Sequence, residues 1–176
     1  MTDSSSAGAT SEHDRAMRAL RHLLAIGLLP GVVAGVVPAL ILAGDELAAW
    51  PLVVLGGAAL ALGLALIVQT VALFATVGQG TLAPWDPTAR LVVRGPYRRV
   101  RNPMISGVLC VLLGEALLFG SMGVLAWFAI VFAVNAVYFP LVEEPGLRRR
   151  FGADYEAYRA AVPRWLPRLR PWQPAP

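Results

Sequence analysis

Four long stretches of the sequence are apolar and almost free of charge, and they limit the possible folds more than any other feature. They cover about residues 22–42, 47–78, 104–119 and 124–142. A hydrocarbon layer about 30 Å thick requires about 20 helical residues, because each residue rises about 1.5 Å. Hydrophobic residues make up 57% of the chain and charged residues only 15%, which is more apolar than an ordinary soluble domain. The sequence therefore predicts an all-α membrane protein with about four transmembrane helices.

The link between the third and fourth stretches is very short. Only "GSMG", residues 120–123, separates them, and this predicts a tight antiparallel helical hairpin. Such a hairpin brings Asn102 and Glu143 to the same end of the bundle, although 41 positions separate them. We therefore expect a composite site at that end.

The basic residues are distributed unevenly along the chain. All 15 are arginines: three precede the first stretch, five lie between the second and third, and seven follow the fourth. Basic residues near helix ends stay on the cytoplasmic side, so we expect both termini and the loop of residues 79–103 to be cytoplasmic, in an inner or plasma membrane. No nucleic-acid-binding motif accompanies the arginines. The bilayer, with its anionic head groups, is the expected partner.

Three regions follow from this pattern. Residues 1–21 are polar and predict a disordered cytoplasmic tail, and residues 22–78 predict two N-terminal transmembrane helices. Residues 79–176 contain the cytoplasmic loop, the hairpin and a C-terminal tail. In that tail Leu147, Phe151, Tyr155 and Tyr158 recur at helical spacing, which predicts a short amphipathic helix before Pro163.

Two motifs lie at the cytoplasmic ends of the hairpin. The first is "GPYRRVRNPMISG" at residues 95–107, and the second is "EEPGLRRRFGADYEAYRAAVPRW" at residues 143–165. Together they resemble the isoprenylcysteine carboxyl methyltransferase and phospholipid methyltransferase family, in its bacterial integral-membrane form. The resemblance covers about residues 79–167. The matching residues are Arg101, Pro103, Gly107, Glu143, Glu144, Leu147, Phe151, Gly152, Tyr155 and Tyr158.

The resemblance implies S-adenosylmethionine as the methyl donor and a lipophilic small molecule or lipid as the acceptor. The residues expected to bind the donor are Leu91, Val92, Tyr97, Arg101, Asn102, Pro103, Met104, Ile105, Glu143 and Glu144. Carboxylates suit the sulfonium and ammonium groups of the donor, which is the expected role of the two glutamates. No metal is expected, because no His/Cys cluster has metal-ligand spacing. The catalytic residues stay open, with Asn102 and Glu143 as candidates for positioning the reactants.

Three positions depart from the family pattern. Asn102 stands where the family usually has His, Ile105 where it has Tyr, and Phe139 where the eukaryotic prenylcysteine enzymes have Arg. Asn does not titrate near neutral pH, so no histidine base is available there. A carboxylate or thiolate attacks without an added base. We therefore expect the carboxylate or thiol of a prenylated or other hydrophobic molecule as acceptor, with a phospholipid amine as the alternative, and Phe139 weighs against prenylcysteine itself.

Other interpretations are compatible with the same residues. A membrane sterol-reductase-like enzyme would bind NADPH in this region, and a non-catalytic membrane scaffold would retain only the fold. Glu143 and Glu144 also fit simple pairing with the arginines that follow them, and the tyrosines fit an aromatic belt at the membrane surface. Glu115 lies inside the third stretch and is expected to pair with Gln69 or Asn135 on a neighbouring helix.

Overall fold

The computed structural model describes residues 27–73, 91 and 93–173, and every regular element within them is helical. The predicted disordered tail of residues 1–21, the loop residues 79–90 and Val92 lie outside the described residues. The first helical segment is a π-helix, Gly27–Val36, which continues as helix α1, Val37–Ile41. Pro30 lies inside the π-helix. Proline has no amide hydrogen to donate to the α-helical ladder, and local widening of a helix is one way to accommodate it.

Three longer helices follow and correspond to the other apolar stretches. They are α2, Trp50–Leu73, α3, Pro103–Phe119, and α4, Met122–Tyr138. Helix α3 ends because Gly120 adopts a left-handed conformation, with φ of 60°, and its amide donates to the carbonyls of Ala116 and Leu117. Only two residues then separate α3 from α4.

Helices α2 and α3 pack so closely that their backbones touch. A Cβ atom placed on Gly63 would lie 2.6 Å from the carbonyl oxygen of Gly107, and one on Gly56 would lie 2.7 Å from the carbonyl oxygen of Gly114. Because the earlier glycine of α2 meets the later glycine of α3, the two helices run antiparallel. Small residues permit this close approach. In lipid, where the hydrophobic effect does not drive helices together, the resulting van der Waals contacts stabilise the pair.

Helix α4 completes the core of the described bundle. Val131 of α4 packs with Val108, Leu109 and Leu112 of α3 to form one buried cluster. The indole Nε1 of Trp127 donates a hydrogen bond of 2.9 Å to the carbonyl oxygen of Val33 in the π-helix. This bond satisfies the only polar atom of a large side chain and ties the first helical segment to α4.

Many apolar side chains on the outer surface of these helices are exposed. Leu40 is 73% exposed on α1, Val68 is 65% exposed on α2, and Val134 is 61% exposed on α4. Two of the described helices are long and apolar enough to cross a membrane, namely Trp50–Leu73 and the continuous helix Met122–Ala161. Pro30–Ile41 and Pro103–Phe119 are apolar but shorter. The count of four transmembrane helices therefore stays a prediction.

The continuous helix changes character where it leaves α4. A π-helical turn, Phe139–Glu143, leads into α5, Glu144–Ala161, and Gly152 breaks the helical backbone of α5 with φ of 52° and ψ of −126°. Tyr155 and Tyr158 are buried with Val162, so the four tail residues at helical spacing do form the inner face of a helix. After Val162 the chain runs back as a non-helical segment of residues 163–173, which we call the C-terminal strap.

The predicted pairing of Glu115 is wrong within the residues described. The side-chain amide of Asn135 donates to the carbonyl oxygen of Val131 in its own helix, at 2.8 Å. The Oε2 atom of Glu115 is buried without a hydrogen-bond partner there. Asn135 is thus satisfied locally, which is a common arrangement for a polar side chain in an apolar helix.

Candidate functional site

The first motif forms a turn that leads directly into α3. Residues Gly95–Arg98 make one 3₁₀ turn, which begins at a left-handed Gly95 with φ of 53°. Asn102 precedes the first turn of α3, where its carbonyl oxygen accepts the amide hydrogen of Ser106 at 3.0 Å. Its side chain makes no capping hydrogen bond. The side-chain carboxamide of Asn102 therefore does not cap the N-terminus of α3.

Glu144 is the centre of an ion-pair cluster. Its Oε1 atom accepts hydrogen bonds from Arg101 Nη1 at 2.9 Å and from Arg164 Nε at 2.7 Å, and its Oε2 atom lies 3.9 Å from Arg159 Nη1. The side chains of Glu144 and Arg101 are only 9% and 12% exposed. We call Glu144 with Arg101, Arg159 and Arg164 the Glu144 cluster. Its arginines come from both motifs, so the cluster joins the two motifs in space.

The neighbouring carboxylate, Glu143, has a different environment. Within the part of the chain that the structure describes, Glu143 forms no ion pair and no hydrogen bond through its side chain. Burial raises the pKa of Glu143 to about 7, and the negative charge of Glu144 adds to the increase. Glu143 is thus a half-buried carboxyl group whose charge no described arginine compensates. The two adjacent glutamates therefore differ in their surroundings: arginines compensate the charge of Glu144, and no described arginine compensates that of Glu143.

Two tyrosines of the site, Tyr155 and Tyr158, are buried inside the protein, and Tyr97 is half-buried beside them. The Tyr158 hydroxyl donates to the carbonyl oxygen of Tyr97 at 2.7 Å, and Tyr155 and Tyr158 are 2% and 3% exposed. Burial raises the pKa of Tyr97 and of Tyr158, and in Tyr97 the charge of Glu143 adds a smaller increase. Their phenol groups stay neutral near pH 7. They provide shape and hydrogen bonds rather than a base.

The C-terminal strap covers the first motif with backbone hydrogen bonds. The amide of Arg101 donates to Pro163 at 2.9 Å, the amide of Arg168 donates to Arg99 at 2.9 Å, and the amide of Trp172 donates to Arg98 at 2.8 Å. Arg98 returns a side-chain hydrogen bond from Nε to the carbonyl oxygen of Trp172 at 2.6 Å. The strap therefore fixes the segment that carries Arg101.

Sequence reasoning missed the strap as a part of this site. The sequence did contain a signal, namely two tryptophans among the prolines of the strap. In the structure both Trp165 and Trp172 pack against aromatic rings of the site. The Trp165 ring lies 5.6 Å from the ring of Phe139, and the Trp172 ring lies 5.7 Å from that of Tyr158. Phe139 is buried in this stack, so a packed aromatic occupies the position where the eukaryotic enzymes have arginine.

The remaining predicted donor-binding residues are placed around these two motifs. Leu91 packs against the cluster of Tyr155, Tyr158 and Val162, and it belongs to no strand. Pro103 is buried in the first turn of α3 beside the half-buried Met104. Ile105 packs against the core of α3 and α4. Val92 lies outside the described residues.

Arg148, the first arginine after the glutamates in sequence, does not join the Glu144 cluster. Arg148 instead pairs with Glu156, and both side chains are about half exposed. No group of three metal-ligating side chains occurs among the described residues. The two arginines that donate hydrogen bonds to Glu144 lie 43 positions before it and 20 positions after it. The site is therefore a long-range assembly.

Comparison with known proteins identifies a family for most of the chain. The sequence model of the phospholipid methyltransferase family matches residues 51–154, which is more than half of the chain. The match includes α2, the turn before α3, the two following helices and both glutamates. No curated protein and no solved structure matches the chain. The C-terminal strap lies beyond the matched residues.

Proposed function

The chain belongs to the phospholipid methyltransferase family, and from this premise we propose that it is a membrane-embedded methyltransferase that uses S-adenosylmethionine to methylate a lipophilic acceptor. The observation that carries the proposal is the uncompensated carboxyl group of Glu143. A half-buried carboxylate without a cation is unfavourable in the free protein, and a cationic ligand reduces that cost. S-adenosylmethionine carries a sulfonium and an ammonium group, and it supplies an electrophilic methyl group when bound.

The other polar groups at the site fit the same ligand. The Nε atom of Arg101 is buried without a hydrogen-bond partner among the described residues, and it suits the carboxylate of the donor. Asn102 has an uncommitted side-chain amide, and Leu91 and Tyr97 offer apolar surface for an adenine. In this proposal these residues bind and orient the donor while the bilayer side excludes water. Methyl transfer is an in-line displacement, so orientation supplies most of what the protein contributes.

The two glutamates have separate roles in the proposal. Glu144 holds the first motif to α5 and to the strap through its arginines. Glu143 remains for the cationic part of the donor. This division replaces the simpler expectation that both carboxylates bind the donor, because the cluster already neutralises Glu144.

The acceptor is proposed to reach the site laterally from the bilayer. A carboxylate or thiol acceptor on an apolar tail would require no base, which suits a site with Asn102 instead of histidine. A phospholipid amine is the second candidate, and one observation favours it. The raised pKa of Glu143, about 7, makes this carboxyl group the best-suited described residue to take a proton from an ammonium group.

Product chemistry separates these acceptors. Lipid extracts are incubated with the protein and donor labelled in the methyl group, and the labelled lipid is then treated with mild alkali. A methyl ester releases labelled methanol, whereas an N-methyl or S-methyl group keeps the label. Label retained on an amine head group would identify the phospholipid amine as acceptor.

Four membrane-spanning helices with both termini in the cytoplasm belong to the same proposal. The arginine distribution supports this orientation, because the two short connections between helices carry no basic residue. Reporter fusions at each terminus test it. A non-cytoplasmic C-terminus would contradict the orientation and would place the Glu144 cluster on the wrong side for a cytoplasmic donor.

Equilibrium binding of candidate cofactors to the purified protein tests the function most simply. We expect saturable binding of S-adenosylmethionine and none of NADPH. Binding of NADPH alone would support the reductase-like alternative. Binding of neither ligand by the folded protein would favour the non-catalytic scaffold.

A further inference from the structure

The C-terminal strap presents apolar side chains that no described part of the protein covers. Leu166 is 80% exposed and Leu169 is 94% exposed. Proline at positions 163, 167 and 171 disfavours a helix in the strap, so the leucines are not the face of a buried helix. Arginines alternate with these leucines along the strap. Apolar side chains interspersed with long cationic ones are typical of segments that lie in a membrane interface.

The aromatic contacts of Trp165 indicate the depth of the strap. The ring of Trp165 lies 5.3 Å from the ring of Phe132 and 5.6 Å from that of Phe139. Phe132 lies within the proposed fourth transmembrane helix, and Phe139 lies near its cytoplasmic end. In the proposed topology Trp165 is therefore level with the cytoplasmic half of this span. Leu166 follows it directly, and we place it where the lipid tails meet the head groups.

The charge of the strap selects the lipid. Residues 163–173 contain three arginines and no acidic residue. Arg164 pairs with Glu144, and Arg168 donates from Nη1 to the carbonyl oxygen of Ala161 at 2.8 Å. Arg170 is exposed. Arg168 has further donors, since a guanidinium carries five, so both it and Arg170 have donors available for phosphate groups. Anionic head groups attract such residues within about a Debye length of the surface.

We propose that the C-terminal strap docks onto the anionic head groups of the bilayer, with Leu166 and Leu169 inserted among the lipids and with Arg168 and Arg170 at their phosphates. The inner side of the docked strap keeps its hydrogen bonds to the first motif and its ion pair with Glu144. Docking therefore holds the Glu144 cluster assembled. A consequence, which rests on the proposed function, is that lipid charge raises the affinity for the donor.

Fluorescence quenching in vesicles measures docking without any donor. Cys110 is the sole cysteine, so the full chain with Cys110→Ser and Gln173→Cys takes a single environment-sensitive label at the end of the strap. The vesicles contain phosphatidylcholine alone or equal parts of phosphatidylcholine and phosphatidylglycerol, with a nitroxide quencher near the head group. We expect stronger quenching in the anionic vesicles and a loss of about half of that difference at about 1 M salt, where the Debye length is about 3 Å.

Substitution of the leucines tests the insertion. We expect the double variant Leu166→Ser with Leu169→Ser to lose about half of the quenching or more, because it removes the apolar surface that inserts. Leu47→Ser is the matched control, since Leu47 is 64% exposed but lies between α1 and α2, and we expect unchanged quenching. Equal quenching in both lipids, unaffected by the leucine substitutions, would overturn the proposal. Trypsin cleavage after Arg168 in the unsubstituted protein, expected to be slower in anionic vesicles, repeats the comparison without a label.

Donor binding on the same vesicles tests the consequence. Anionic lipid concentrates any cation at its surface, so the comparison is made between the parent and the double leucine variant in identical anionic vesicles. We expect about threefold weaker donor binding by the variant, which is a loss of about 0.6 kcal/mol. Equal affinities with a docked strap would reject the link to the donor site. Absence of donor binding in every sample would reject the proposed function and leave the quenching result standing.

Discussion

The helix pair α2–α3 and the Glu144 cluster are both closely assembled, but different forces hold them. Between the helices, backbone meets backbone at glycines, and no charged group takes part. Around Glu144, ion pairs and hydrogen bonds join residues that lie as far as 43 positions apart. The helix pair therefore depends on shape and tolerates no added atom. The cluster depends on charge and tolerates no lost partner.

The same contrast recurs between the two adjacent glutamates. The charge of Glu144 is compensated by three arginines, whereas Glu143 is half-buried without a described cation. A protein keeps an uncompensated buried charge at a cost in stability, and such groups concentrate at functional sites. On the proposed function, the motif "EE" combines one structural residue, Glu144, with one residue, Glu143, that binds the donor.

The largest expected effect is the loss of the buried structural charge. Glu144→Gln leaves Arg101 and Arg164 without their carboxylate, and removal of one partner from a buried pair costs about 3 kcal/mol. We expect the region around the Glu144 cluster to unfold well below the parent's transition while the apolar helices stay folded. Thermal unfolding followed by tryptophan fluorescence measures this, because Trp165 and Trp172 pack in that region.

Glu156→Gln is the matched control for this effect. Glu156 also pairs with arginines, but its side chain is 44% exposed and its partner Arg148 is 52% exposed. Exposed ion pairs contribute at most about 1 kcal/mol. An equal decrease in unfolding temperature for both variants would show that burial does not strengthen the ion pairs of the Glu144 cluster. It would contradict the contrast with the helix pair.

The second effect tests whether the helix pair depends on shape. Gly63→Ala places a methyl group against the carbonyl oxygen of Gly107. This oxygen belongs to the backbone, so no side-chain rotation relieves the contact. We expect a loss of about 1 to 3 kcal/mol, as for other overpacked contacts. Helical circular dichroism during thermal unfolding in bicelles measures it.

Gly57→Ala is the control on the same helix. A Cβ atom at Gly57 meets no atom within 4 Å, and alanine favours a helix over glycine. We expect this variant to be neutral or slightly more stable than the parent. Equal losses for both alanines would mean that helix flexibility, rather than the close approach of α2 and α3, determines the result.

The smallest expected effect is a gain in stability. Burial raises the pKa of Glu143 in the folded protein to about 7 from its ordinary value, so the ionised group destabilises the fold above about pH 7. That cost disappears below the unfolded pKa, near 4.3, where both states are protonated. We expect Glu143→Gln to raise the free energy of unfolding at pH 8 by an amount on the order of 1 kcal/mol, seen as a higher melting temperature, and to change it little at pH 4. A destabilised variant at pH 8 would contradict the uncompensated charge.

Several features of the fold could be predicted from the sequence because they depend on local patterns. The apolar stretches predict the helices α2, α3 and α4 to within a few residues at the described ends. The spacing of Leu147, Phe151, Tyr155 and Tyr158 predicts the inner face of α5. Hydrophobic periodicity gives this information without knowledge of distant contacts.

The electrostatic state of each glutamate could not be predicted, because it depends on distant residues. The hairpin indicates that the two motifs meet, but the choice between Glu143 and Glu144 depends on Arg164. Arg164 reaches Glu144 only because the strap turns back over the first motif, and no local pattern specifies that path. The error on Glu115 has a different and local cause, since the side-chain amide of Asn135 donates to the carbonyl oxygen of Val131 in its own helix.

Donor affinity of Glu143→Gln tests the central claim most directly. The substitution keeps the shape of the side chain and removes its charge, and the measurement is made at pH 8, where the parent carboxyl group is largely ionised. A charge-assisted contact contributes about 1.5 to 3 kcal/mol, so we expect the Kd for S-adenosylmethionine to rise about tenfold to a hundredfold. Arg99→Gln, which alters an exposed arginine of the same motif, should leave the Kd unchanged. A folded Glu143→Gln protein that binds the donor as tightly as the parent would contradict the assignment of Glu143.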